Sequence, residues 1–120
     1  MSLRVMIVDD ALFMRNMLKD IFTRAGFEVV AESEDGQAAL EDYRRVQPDL
    51  VTMDIVMPKR SGIEALRDII SEDPKACVVM VSALGQDSLV LEAVESGARD
   101  FIVKPFKEDN VLDVVRRVAS

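Results

Sequence analysis

A doubly wound α/β sandwich is the fold this sequence predicts, and three observations predict it. Five short strand-like runs occur, most of them solidly apolar rather than alternating, the pattern of parallel strands covered on both faces. Segments of helical period, about three turns long, separate those runs, as in βαβ crossovers. The chain has 120 residues, 49% hydrophobic and 31% charged, which suits one globular domain whose core needs neither disulfide nor metal.

The strands are expected at residues 3–9, 27–31, 50–53, 77–81 and 101–103. The first helix is expected over 11–25, with Leu18, Ile21, Phe22 and Ala25 on one face and Gly26 as its stop. The second follows Asp35 and Gly36, and turns Leu40, Tyr43 and Val46 inward before Pro48. The third opens on a capping box, Ser61 with Glu64 three residues on, and buries Leu66, Ile69 and Ile70. The fourth begins near Asp87 and Ser88 and ends at Gly97, and the fifth carries Val111, Leu112, Val115 and Val118. Strand and helix thus alternate five times, a (βα)5 chain with helices on both faces of a parallel sheet.

Charge and composition exclude several functions. Fifteen basic against 22 acidic side chains give a net charge of −7, so a nucleic-acid backbone or an anionic membrane would be repelled. The chain has no histidine, which removes Ser-His-Asp and Cys-His catalysis and His-ligated metal. Cys77 is the single cysteine and opens an apolar run, so it reads as an inert core thiol in a reducing compartment. The longest apolar stretch, residues 76–81, is too short to span a bilayer, and Asp9 and Asp10 interrupt the first one, leaving no secretory core. A cytoplasmic location is expected.

The informative residues end the strands. Strand 1 ends in Asp9 and Asp10, strand 3 in Asp54, strand 4 in Ser82 and strand 5 in Lys104. In an open parallel sheet these ends share one edge, where ligands bind and helix N-termini favour an anion. Singly, each has a bland reading: a helix cap, a turn aspartate, a strand-end hydroxyl, a solvated lysine. Together, four of five strands end in residue types suited to phosphate chemistry. If strands 1 and 3 are neighbours, about 4.8 Å apart, the three carboxylates meet and repel unless cations intervene. Lys104 supplies one positive charge, and Mg²⁺ suits an all-oxygen site with open water positions. An aspartate there could act as a phosphoryl acceptor, with Lys104 and Ser82 positioning and neutralising the group.

Four motifs, Val8-Asp9-Asp10, Met53-Asp54 with Met57-Pro58, Val81-Ser82-Ala83 and Val103-Lys104-Pro105-Phe106, resemble the signature set of response-regulator receiver domains. The likeness runs over nearly the whole chain, 1–120 as one receiver. It extends to the single-domain chemotaxis members through Phe13-Met14-Arg15, Gly85-Gln86 and the run 98–106. The resemblance implies a flavodoxin-like sheet of order 2-1-3-4-5, an order that belongs to the family and that spacing alone does not dictate. It implies that Asp54 takes a phosphoryl group from a histidine kinase, and that Asp9, Asp10, Asp54 and the Val56 backbone carbonyl hold Mg²⁺. Lys104 would then pair with the phosphoryl oxygens. Ser82 would move to hydrogen-bond them, Ala83 would leave room, and Phe101 would turn inward. A cis Lys104–Pro105 bond is also implied. Partners would be the kinase, an output protein such as a flagellar motor switch component, and a phosphatase, with the chain itself a monomer.

Phe101 stands where many members carry tyrosine, so an aromatic rotor without a hydroxyl is expected. Val56 and Leu84 are apolar where some members carry polar groups, which predicts slow self-dephosphorylation. Met6, Met53 and Met80 read as core, and Met14 and Met17 as helix–sheet packing. Leu89, Val90 and Leu91 cannot all face inward, because successive helical residues point about 100° apart. One reading leaves one of them at the core's edge. The other, guided by the resemblance, puts Val90 with Phe101 and Lys107 on a partner-binding face of helix 4, strand 5 and helix 5.

Three rival functions fit less well. A flavin or nucleotide protein lacks a glycine-rich phosphate loop, and the chain has no Trp and one Tyr. A Mg²⁺-dependent aspartyl phosphatase would carry a second aspartate two residues after its strand 1 nucleophile, where this chain has Ala11 after Asp9 and Leu12 after Asp10. A purely scaffolding domain leaves the strand ends unexplained. A free-standing regulator and a receiver from a longer one both remain open, and a chain stopping just after helix 5 suits the first.

Overall fold

The computed structural model describes residues 2–119. Strand and helix alternate as β1 (Arg4–Val8), α1 (Leu12–Arg24), β2 (Glu28–Ser33), α2 (Gly36–Val46), β3 (Leu50–Asp54), α3 (Gly62–Glu72), β4 (Val78–Ala83), α4 (Asp87–Glu95), β5 (Asp100–Lys104) and α5 (Glu108–Ala119). All five strands are parallel, in the order β2-β1-β3-β4-β5. This is the (βα)5 flavodoxin-like sandwich expected from the sequence.

Strand alternation divides the core in two. Met6, Val8, Val51, Met53, Val78 and Met80 face α2, α3 and α4, where Ala39, Tyr43, Leu66, Ile69 and Ala93 meet them. Val5, Ile7, Leu50, Val79, Val81 and Ile102 face α1 and α5 through Leu18, Ile21, Phe22, Val111 and Val115. Burying a large apolar side chain contributes about 1.5–3 kcal/mol, so these two clusters hold the sheet between its helix layers. β3 is central and buried along its whole length.

Helix ends follow the local chemistry. Beyond the last turn of α1, Gly26 takes φ 86° and Phe27 donates its backbone N–H to the Phe22 carbonyl at 2.9 Å, closing a left-handed cap. The capping box of α3 is present: Glu64 N–H reaches Ser61 Oγ at 3.2 Å and Ser61 N–H reaches Glu64 Oε1 at 3.0 Å. β2 runs two residues beyond its expected end at Ala31. Its burial alternates there, Glu32 turned to the α1 side, where it pairs with Arg15 and Lys19, and Ser33 buried on the other, as an edge strand allows. Ile70 is only partly buried beside the fully buried Leu66 and Ile69. Among the described residues no helix is long and apolar enough to cross a membrane.

Candidate functional site

Because the strands are parallel and start near one level, their C-terminal ends make one edge. Register sets Asp54 opposite Val81, Ser82 opposite Val103 and Ala83 opposite Lys104. β1 lies beside β3, with Val8 opposite Met53, so Asp9, the first residue past β1, comes level with Asp54, the last residue of β3. Asp9 and Asp54 are buried and Asp10 is exposed.

Carboxylate oxygens of Asp9, Asp10 and Asp54 lie within 4.8 Å of one another. Lys104 Nζ stands 3.3 Å from Asp9 Oδ2 and 3.5 Å from Asp54 Oδ2, so a single ammonium serves two carboxylates. Asp9 is fixed further: its Oδ1 accepts the Ala11 N–H at 2.9 Å, and its own N–H reaches the Ser33 carbonyl at 3.0 Å. Asp54 is pushed up to about 6, first by burial and then by the Asp9 charge, against the opposing pull of Lys104. The site is thus short of positive charge. Oxygen donors in this number suit a hard divalent cation such as Mg²⁺.

The loop after β3 is tied back under the site. Gly62 N–H donates to the Ile55 carbonyl at 2.7 Å, and a Cβ on Gly62 would lie 1.8 Å from the Asp54 carbonyl oxygen. Only glycine admits that approach. Val56, in this loop, and Leu84, after β4, are both exposed.

Beside the acidic cluster, Ser82 is buried at the end of β4. With Ala83, Val90 and Phe101 it lines a groove of about 380 Å³ between β4, β5 and α4. Phe101 is 39% exposed. The Lys104–Pro105 bond is cis. Lys107 is exposed just before α5 and lies outside that groove.

The response regulator receiver domain pattern matches residues 5–116. The chain belongs to that family. Across 120 residues, and the full length of both chains, the receiver is 54% identical to the chemotaxis protein CheY of Bacillus subtilis and 50% identical to that of Thermotoga maritima. A solved CheX–CheY–BeF3–Mg²⁺ complex from Borrelia burgdorferi superposes with a TM-score of 0.94 at 41% identity, covering 98% of this chain and 90% of that one. The protein is therefore a receiver domain of two-component signalling, closely related to the CheY chemotaxis regulators.

The receiver brings Asp9, Asp10, Asp54 and Lys104 together, and sets Ser82, Ala83, Val90 and Phe101 along the adjoining groove. On α4 the exposed apolar residues are Leu91 and Val94, whereas Leu89 and Val90 pack partly against the core. Helical spacing from the buried Ala93 could have shown this, since Val90 lies three residues before it on the same face. Sequence reasoning also missed the burial of Arg15, whose guanidinium donates to the Asp9 carbonyl.

Proposed function

We propose that this receiver is a phosphorylation-controlled binding switch, with Asp54 accepting a phosphoryl group from a histidine kinase. One observation carries the reading: a buried carboxylate meets an ammonium at 3.5 Å, with two more carboxylates alongside. That pairing leaves Asp54 ionised near neutral pH, as a nucleophile must be, while burial limits competing water.

In the transfer an Asp54 oxygen attacks phosphorus and a new O–P bond forms. The P–N bond of the donor phosphohistidine breaks, its electron pair stays on the imidazole, and that ring takes up a proton. Lys104 faces the incoming phosphoryl oxygens and stabilises their charge. Asp9, Asp10, Asp54 and the Val56 backbone carbonyl would hold Mg²⁺, which would neutralise further charge on the phosphoryl group. An all-oxygen cluster with too few cations supports that assignment.

Ser82 then turns its hydroxyl to a phosphoryl oxygen, Ala83 leaves room, and Phe101 turns into the groove it now borders. The groove and the exposed Phe101, Leu91 and Val94 support a partner face on α4, β5 and α5, including Val90 and Lys107. The receiver catalyses only its own phosphorylation and dephosphorylation. Its partners are the kinase, an output protein such as a flagellar motor switch component, and a phosphatase. The Borrelia relative is solved in complex with CheX, which supports a protein partner for this receiver. The residues 1–120 act as one monomeric, cytoplasmic unit in chemotaxis, binding neither nucleic acid nor membrane.

Phosphoryl transfer from an autophosphorylated histidine kinase tests this. One labelled phosphoryl per chain, retained on Asp54, is expected. Repeated turnover of p-nitrophenyl phosphate would instead make the chain a phosphatase.

A further inference from the structure

Among the described residues, the one basic side chain that is buried is Arg15, 7% exposed on α1. Its surroundings are polar. Nη1 donates to the Asp9 carbonyl at 2.7 Å, Nε lies 3.4 Å from Glu32 Oε1, and Nη2 lies 3.7 Å from Glu34 Oε1. Lys19 also reaches Glu32, at 3.4 Å. Burying a guanidinium is costly unless carboxylates and acceptors surround it, and here β2 and the turn after it supply them.

The Asp9 carbonyl belongs to the peptide that joins Asp9 to Asp10. A planar group bonded to that oxygen therefore fixes the peptide from which both carboxylates project. α1 has its own apolar anchorage in Leu18, Ile21 and Phe22, so Arg15 is not needed to seat the helix. Asp9 is bound on its side chain by Ala11 N–H and Lys104, and on its backbone by Ser33 and Arg15. Arg15 is the one of these partners that holds the carbonyl end of the turn.

We propose that Arg15 is a positioning residue for the divalent-cation site, fixing the Asp9–Asp10 turn, with Glu32 orienting its guanidinium. The inference rests on the proposed Mg²⁺ role of the three aspartates and adds a residue that touches no ion. Groups that orient metal ligands typically cost 10–100-fold in affinity when lost. Lysine keeps the charge but gathers its donors on one nitrogen and lacks the planar fork, so it restores the function in part.

The test is calorimetric titration of the whole chain with MgCl2, without phosphodonor, alongside thermal unfolding. Arg15→Met is expected to weaken Mg²⁺ binding at least about tenfold, and Arg15→Lys to fall between it and wild type. Val115→Ala, which opens a cavity in α5 away from the edge, should lower the melting temperature and leave Mg²⁺ affinity at the wild-type value. Should Arg15→Met fail to fold, Arg15→Lys decides. Wild-type affinity in the Arg15 variants, or an equal loss in Val115→Ala, overturns the proposal alone. A wild-type chain without saturable Mg²⁺ binding overturns the metal reading, and this proposal with it.

Discussion

Lys104 Nζ lies 3.5 Å from Asp54 Oδ2 although their strands are not neighbours, since β4 runs between β3 and β5. The long lysine stem spans β4's end and brings a charge from the fifth strand to the third. It also meets Asp9 at 3.3 Å, so one side chain ties β5 to β3 and to the turn after β1. The proposed phosphoryl transfer depends on that reach.

Removing the ammonium should therefore change both titration and transfer. Asp54 titrates at about 6 with Lys104 pulling it down, so Lys104→Met should carry it higher in metal-free protein. Carboxyl ¹³C shifts followed by NMR measure this, and an unchanged or lower midpoint contradicts the pairing. Loss of a charge-stabilising donor should also slow phosphorylation about a hundredfold at pH 7.

Stability should follow the same carboxyl. Its folded value, about 6, stands above the ordinary 3.8, so between these values the native state binds the proton more tightly. Stability from this group therefore falls as pH rises through that window, and the full cost remains above about 6. Metal-free Asp54→Asn should be more stable than wild type at pH 8 by about 1–3 kcal/mol, and the gap should shrink as pH drops toward 4. Urea unfolding at several pH values checks it. A mutant less stable at pH 8 would contradict the charge shortage.

Close approach at Gly62 supplies a third expectation. A methyl group there would stand 1.8 Å from the Asp54 carbonyl oxygen, which is backbone and cannot swing away. Gly62→Ala should cost at least about 3 kcal/mol, measured by urea unfolding. A loss below about 1 kcal/mol would mean that the loop after β3 yields easily.

Much of this edge is legible in the residues alone. Solidly apolar runs at β1, β3 and β4 announce buried parallel strands, and the polar residues ending them announce Asp9, Asp54 and Ser82. Adjacency is a different matter: that β1 lies beside β3 is set by packing of both helix layers, not by either run. Arg15 is illegible because a helical arginine followed by Asn16 looks solvated, and only the fold brings Glu32 and the Asp9 carbonyl to it. Val90 separates from Leu91 and Val94 only once Ala93 is taken as the inward residue, because adjacent apolar residues do not state their own phase. β2 outruns its expected end at Ala31 because Glu32 looks like an ending, when on an edge strand it is one turn of the alternation.

Two exposed apolar residues, just after β3 and β4, bear on the lifetime of the proposed phosphorylated state. Val56 is 58% and Leu84 77% exposed, and neither side chain can hydrogen-bond an attacking water. Val56→Ala and Leu84→Ala should each shorten the lifetime of the phosphorylated chain, followed as loss of label from purified protein. No change in either would count against shielding.

The central claim, that Asp54 is a phosphoryl acceptor, is tested most directly by intact mass after incubation with Mg²⁺ and acetyl phosphate. One added phosphoryl group is expected on the wild type, absent without Mg²⁺ and absent in Asp54→Asn. An unmodified wild type under these conditions, or a modified Asp54→Asn, would contradict it.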